Sequence, residues 1–172
     1  MRILGIDPGF DRTGFGVVDH IRGKLTWVYH GCLQTDKKSE FPFRLQQVRD
    51  AVAKTIKHFQ PDVVVIEQLF FQTNVTTAIK VGMARGVIFV AAADGNVPII
   101  ELTPNQIKQG LTGWGKADKK QMQEMVRTTL KLEEVPKPDD AADALAMAIV
   151  GAFAATSAWC TPQGTKTNLP KK

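Results

Sequence analysis

The apolar positions of this chain follow two periods. Ile3-Leu4-Gly5-Ile6 is a short apolar run that ends on Asp7 and is broken by Pro8-Gly9. It predicts a strand over 2–7, followed by turn chemistry as far as Gly14. Phe15-Gly16-Val17-Val18-Asp19 and Lys24-Leu25-Thr26-Trp27-Val28-Tyr29 predict two more strands joined at Arg22-Gly23, an antiparallel three-stranded meander. From residue 40 the period lengthens. Phe43, Leu45, Val48, Val52, Ile56 and Phe59 recur at helical spacing until Pro61-Asp62 ends the helix. Val63-Val64-Val65-Ile66 is apolar on both faces, as a central strand covered by helices must be. It delivers Glu67 to its carboxyl end, where open α/β sheets place ligands. A helix over 74–93 follows, with Asn74 or Thr73 as its cap, then a short strand over 97–102 that Pro98 suits to an edge. Thr103-Pro104-Asn105 opens a short helix, and Gly110 to Gly115 makes a flexible break. A helix over 118–132, a stiff connector at Pro136 and Pro138, and a last helix from near Asp139 to Phe153 complete the order.

This order predicts an α/β fold, a mixed five-stranded sheet with helices on both faces. A helix crosses between the first strand and the Val63 strand, so these two are expected as parallel neighbours, with Asp7 and Glu67 side by side. One domain over 1–157 is expected. The tail 158–172 has too little apolar content to fold, and disorder is expected there.

Composition narrows the function. At 172 residues, 44% hydrophobic and 23% charged, the chain is an ordinary globule with room for one sizeable core. A net charge of +5 and a pI near 9.3 point to a polyanionic partner. Cys32 and Cys160 are far apart and are expected as free thiols in a reducing compartment. His20, His30 and His58 are scattered, which argues against zinc. No apolar run is long enough to span a membrane, and the start lacks the features of a signal peptide, so a cytoplasmic location is expected.

The candidate chemistry lies in the acids. Asp140 and Asp143 are three apart and share a helix face, and Asp139, four before Asp143, could share it too. Spacing alone does not say which of the first two works with Asp143. Asp139 follows Pro138 as an N-cap would. Carboxylates gathered within a few ångströms raise one another's pKa, and divalent cations resolve the conflict. Mg²⁺ prefers such oxygens. Two ions about 4 Å apart can activate water and stabilise the leaving 3′-oxygen of a phosphodiester.

Gly5-Ile6-Asp7-Pro8-Gly9, Thr13-Gly14-Phe15-Gly16-Val17, Gln60-Pro61-Asp62, Ile66-Glu67-Gln68, Ala84-Arg85-Gly86-Val87, Met125-Val126-Arg127 and Asp140-Ala141-Ala142-Asp143-Ala144-Leu145-Ala146 occur in that order over roughly residues 1–155. Together they resemble the RuvC family of bacterial Holliday-junction resolvases, in the RNase H-like (retroviral integrase) superfamily. The resemblance implies Asp7, Glu67, Asp140 and Asp143 as the metal-binding catalytic set, Mg²⁺ as cofactor with two ions per site, and Mn²⁺ as an alternative. It selects Asp140 over Asp139, because the family motif is Asp-Ala-Ala-Asp. The implied activity is symmetric nicking of four-way DNA junctions in recombination and repair, leaving 5′-phosphate and 3′-hydroxyl ends. The implied partners are the junction, a second copy of the chain, and a RuvA–RuvB branch-migration complex.

Cations surround these motifs. No acid occurs from Gln68 to Ala93, which holds Lys80 and Arg85, or from Leu102 to Ala117, which holds Lys108 and Lys116; Lys119 and Lys120 follow. Such residues hold phosphates without reading sequence. The resemblance places Lys108 and Lys119 nearest the scissile phosphate. Phe70 and Phe71 cannot both point inward from an extended segment, so one is expected to be exposed for stacking on an unpaired base; position matching selects Phe70. Ala78, Gly82 and Gly86 make a smooth stripe, for which the residues alone favour packing on the chain's own sheet; the resemblance instead assigns it to dimerisation. The competing readings are a ribonuclease H acting on RNA–DNA hybrids, an actin-like nucleotide domain, for which the chain is short, and a junction-binding protein without catalysis.

Overall fold

The computed structural model describes residues 1–68 and 75–156. Five strands, β1 (Arg2–Asp7), β2 (Arg12–Ile21), β3 (Lys24–Gln34), β4 (Val63–Glu67) and β5 (Ile99–Leu102), form one sheet in the order β3-β2-β1-β4-β5. β1, β2 and β3 are antiparallel neighbours, whereas β1–β4 and β4–β5 are parallel. The mixed sheet and the parallel β1–β4 pair are as the element order predicted.

Strand alternation sends side chains to two cores. Leu4 and Ile6 of β1, with Val64 and Ile66 of β4, pack against Val48, Val52 and Ile56 of α1 (Phe41–Phe59) and Ile88, Ala91 and Ala92 of α2 (Val75–Asp94). Ile3, Val63 and Val65 face the other way, onto α3 (Pro104–Thr112), α4 (Lys119–Leu130) and α5 (Asp139–Thr156). The parity puts Asp7 and Glu67, four residues beyond Ile3 and Val63, on the α5 side.

α5 is the central helix of that side, with buried residues almost without interruption from Ala141 to Ala152. It can lie directly on the sheet because the strands beneath it carry glycine. A Cβ on Gly5 would stand 2.0 Å from the Ala144 carbonyl oxygen, and one on Gly14 would stand 1.9 Å from that of Asp140. Close backbone approach here fixes where the acid-bearing end of α5 comes to rest.

Three boundaries differ from expectation. β2 starts at Arg12 and β3 continues to Gln34, so Thr13-Gly14 is strand rather than turn; Gly14 is there for the approach of α5. Gly110 lies inside α3, packed against Val150, and the break is confined to the segment after Gly113. The carboxylate of Asp139 turns sideways to α4 instead of serving as the expected cap. The proposed cap at Thr73 or Asn74, and the tail 158–172, lie outside the described residues.

Candidate active site

Asp7 ends β1, and Glu67 ends β4. The parallel register pairs Ile6 with Ile66, which sets the two acids on adjacent strand ends. Asp143, one turn into α5, faces them. All three line one cleft of about 230 Å³ together with Lys108 of α3 and Lys119 of α4, over an apolar floor that includes Ile107, Met122 and Met147. Asp140 stands one turn back, over β2, paired with Arg12 at 2.7 Å. The Cys32 thiol is 3.8 Å from the same Asp140 oxygen. Neither neighbour was foreseen. Both follow from hairpin register, because Asp7 pairs with Gly14, Gly14 pairs with Cys32, and Asp140 rests on Gly14.

The electrostatics are those of crowded acids. Asp7 is pushed up to about 7, first by burial, then by the charges of Asp143, Asp140 and Glu67, with Lys119 opposing. Burial also raises Glu67, as does Asp143, while Arg85 and Lys108 pull it back. Asp143 is raised by burial and by Asp139 and Asp140 against the pull of Lys119. Such a set wants cations. Its donors are all carboxylate oxygens, which suits a hard divalent ion and not zinc. Among the described residues no three His, Cys, Asp or Glu side chains already close on one ion. The fit rests on donor type and charge, with the acids ringing a cleft.

The predicted cations separate into groups. Lys108 and Lys119 are in the cleft. Lys116 and Lys120 are exposed on the segment and helix start beside it. Lys80 lies elsewhere, its ammonium 5.4 Å from the Phe10 ring and 5.8 Å from that of Phe41. Arg85 is a correction. Its side chain is only 8% exposed, and its guanidinium donates to the Glu67 carbonyl and pairs with Glu101. It therefore braces the end of β4 against α2 and β5 and is not free to hold phosphate. An Arg flanked by apolar and small residues in the second half of α2, with no other charge between Lys80 and Asp94, was the available signal for burial. Phe70 and Phe71 lie outside the described residues.

Comparison with known proteins agrees with this geometry. The family described as "Crossover junction endodeoxyribonuclease RuvC" matches residues 3–151. A protein of that name from Brevibacillus brevis is 52% identical over 152 residues, covering 88% of this chain and 92% of its own. One from Thermotoga maritima is 47% identical over 148 residues, covering 86% and 88%. The structure titled "T. thermophilus RuvC in complex with Holliday junction substrate" superposes with a TM-score of 0.85 at 36% identity, covering 90% of this chain and 94% of that one. The sheet is thus of the RNase H-like kind expected, and the chain belongs to the RuvC family of crossover junction endodeoxyribonucleases.

Proposed function

We propose that this chain nicks four-way DNA junctions at matched positions in two like strands, by hydrolysing one phosphodiester in each. The observation that carries the reading is the single cleft in which Asp7, Glu67 and Asp143 meet Lys108 and Lys119. The four acids, Asp140 included, would hold divalent cations, which family membership implies; Mg²⁺ is the proposed ion, two per site, with Mn²⁺ able to substitute. When bound, such ions supply charge stabilisation on the phosphoryl oxygens and a more acidic attacking water. The chain's own part is placement. Adjacent strand ends fix Asp7 and Glu67, the seating of α5 fixes Asp140 and Asp143, and Arg85 braces Glu67 from behind. Lys108 and Lys119 meet the phosphate, while Lys116 and Lys120 meet the backbone alongside it. Phe70, three residues beyond Glu67, is proposed to stack on an unpaired base. The products are a 5′-phosphate and a 3′-hydroxyl.

The junction's approximate two-fold symmetry calls for two matched sites, which a C2 dimer supplies. α2 has the face for it. Ile79, Met83 and Val90 are 51%, 49% and 52% exposed, and Gly82 and Gly86 have open space above them. A single nuclease domain over 1–157, acting on cytoplasmic DNA in company with a RuvA–RuvB branch-migration complex, completes the proposal.

The test is strand cleavage of a mobile four-way junction with Mg²⁺, with Mn²⁺ and with chelator, beside linear duplex and RNA–DNA hybrid, with Asp7→Asn as control. Paired nicks in the junction alone, lost with chelator or Asp7→Asn, are expected. Cleavage of the hybrid instead would move the chain to ribonuclease H chemistry, and binding without cleavage under either ion would end the enzyme assignment.

A further inference from the structure

The acid beside the catalytic motif has a partner of its own. Asp139 accepts from the Lys119 ammonium at 2.7 Å and, through its other oxygen, from the Gln123 amide at 3.0 Å. The same ammonium stands 3.8 Å from Asp143, close enough for Coulomb attraction but beyond a good hydrogen bond. We propose that Asp139 is a positioning residue: with Gln123 it holds Lys119 at the rim of the cleft, ready for the scissile phosphate, and keeps the ammonium from settling on Asp143. The proposal rests on the nuclease reading above.

Lys119 needs such a holder for two reasons. It is the first residue of α4, a start fixed by the Asp118–Gln121 capping box. A cation there opposes the positive end of the helix dipole, so helix stability does not account for it. A lysine is also a point charge on a flexible four-carbon stem, and nothing in its own geometry aims it. Asp143 would be a poor anchor, because a carboxylate that binds a cation loses most of its attraction for a second one. Asp139 faces outward, 62% exposed, and stays available when Asp143 is engaged. Gln123, one turn further along α4 than Lys119, fixes the other oxygen, so the carboxylate is clamped between two points of α4.

A positioning role makes a prediction that charge alone does not. Asp139 is negative and lies beside a surface that binds DNA, so neutralising it should favour binding. If it also aims Lys119, neutralising it should slow cleavage. The test uses the full chain with a fluorescent four-way junction. It measures affinity in EDTA by anisotropy, and single-turnover cleavage in Mg²⁺ with enzyme in excess. The variants are Asp139→Asn and Asp139→Glu, each alone and with Lys119→Met. For Asp139→Asn the expected result is equal or tighter binding in EDTA with cleavage slowed about tenfold, less than the ~10²-fold a misplaced reacting group can cost. Asp139→Glu should restore most of the rate. In the Lys119→Met background, Asp139→Asn should cost nothing further. Wild-type rate in Asp139→Asn, or the same loss with and without Lys119, would overturn the proposal while leaving the nuclease reading intact. A wild-type chain that fails to cut junctions would overturn both.

Discussion

The crowding of Asp7 makes a prediction about stability that runs against the usual effect of mutating a buried polar group. Its carboxyl is pushed up from about 3.8 to about 7, by burial first and then by Asp143, Asp140 and Glu67. Above pH 4 the unfolded chain releases this proton while the folded chain keeps it. The folded state then binds more protons, so this group makes stability fall as pH rises from about 4 to about 7, and the whole penalty is present above 7. At about 1.4 kcal/mol per pH unit the penalty is about 4 kcal/mol. Asp7→Asn removes the charge and keeps the shape. In EDTA at pH 8 the variant should be more stable than wild type by about 2–4 kcal/mol, the lower end allowing for an amide that finds imperfect partners. At pH 4, where the folded carboxyl is neutral and the unfolded one only a little over half ionised, the difference should fall below about 1 kcal/mol. Mg²⁺ should narrow the gap at pH 8, because a ligand at 100 times its Kd adds about 2.7 kcal/mol to the form that binds it. Urea unfolding at both pH values, with EDTA and with Mg²⁺, reads all of this. Cleavage by the variant should be absent. A variant no more stable than wild type at pH 8 in EDTA, or an advantage undiminished at pH 4, would refute the crowding argument.

Three further outcomes follow from the packing. Gly14→Ala should lift the start of α5 off β2, since the added carbon would stand 1.9 Å from the Asp140 carbonyl oxygen; a loss of about 1–3 kcal/mol in urea is expected, with junction cleavage down by a factor of ten or more, and wild-type cleavage would exclude glycine packing as the device that sets Asp140. Arg85→Met should cost about 1–3 kcal/mol, below the 3–5 of a fully buried pair because Glu101 is partly solvated, and should leave junction affinity in EDTA unchanged; Lys108→Ala should do the reverse, and the two melting curves and binding isotherms separate them. Ile79→Asp with Met83→Asp should give a folded monomer by sedimentation that nicks junctions on one strand at a time; a dimer that survives both charges would place the interface elsewhere.

Much of this was legible in the chain because its strands state their parity. Val63 to Ile66 has no polar side, so it had to be central, and the crossover helix before it forced a parallel neighbour. Those two facts bring Asp7 and Glu67 together. The α5 acids were legible by helical spacing, but the choice of Asp140 over Asp139 came only from family resemblance. The misreadings share a cause: a residue type was given its commonest local role when a tertiary contact had set it. Gly14 looked like a turn glycine and is a floor for α5. Arg85 looked like a phosphate cation and is a buried brace. Asp139 looked like a cap and bonds to α4. Arg12 and Cys32 had no signal in local sequence, since only the β2–β3 register brings them to Asp140.

The same contacts explain how the fold tolerates its site. The acids of the site oppose one another, and repulsion alone would drive α5 outward until Asp140 and Asp143 no longer faced Asp7. The helix cannot yield. From Ala141 to Ala152 it is buried along nearly its whole length, and Leu145, Met147, Ile149 and Val150 each contribute about 1.5–3 kcal/mol by leaving water. That sum exceeds the Asp7 penalty of about 4 kcal/mol. Asp139 and Asp140 in the first turn also favour the positive end of the helix dipole, which recovers a part of the repulsion locally. The seating is set by backbone contacts at Gly5 and Gly14, with no side chain between to compress, so a shift of α5 large enough to relieve the acids would unpack the core on that face of the sheet. Site geometry and core packing are therefore one constraint. Substitutions far from the cleft, under α5, should lower cleavage in proportion to how far they let the helix move, while substitutions of equal energetic cost around α1, on the other face, should leave the rate of the folded protein unchanged.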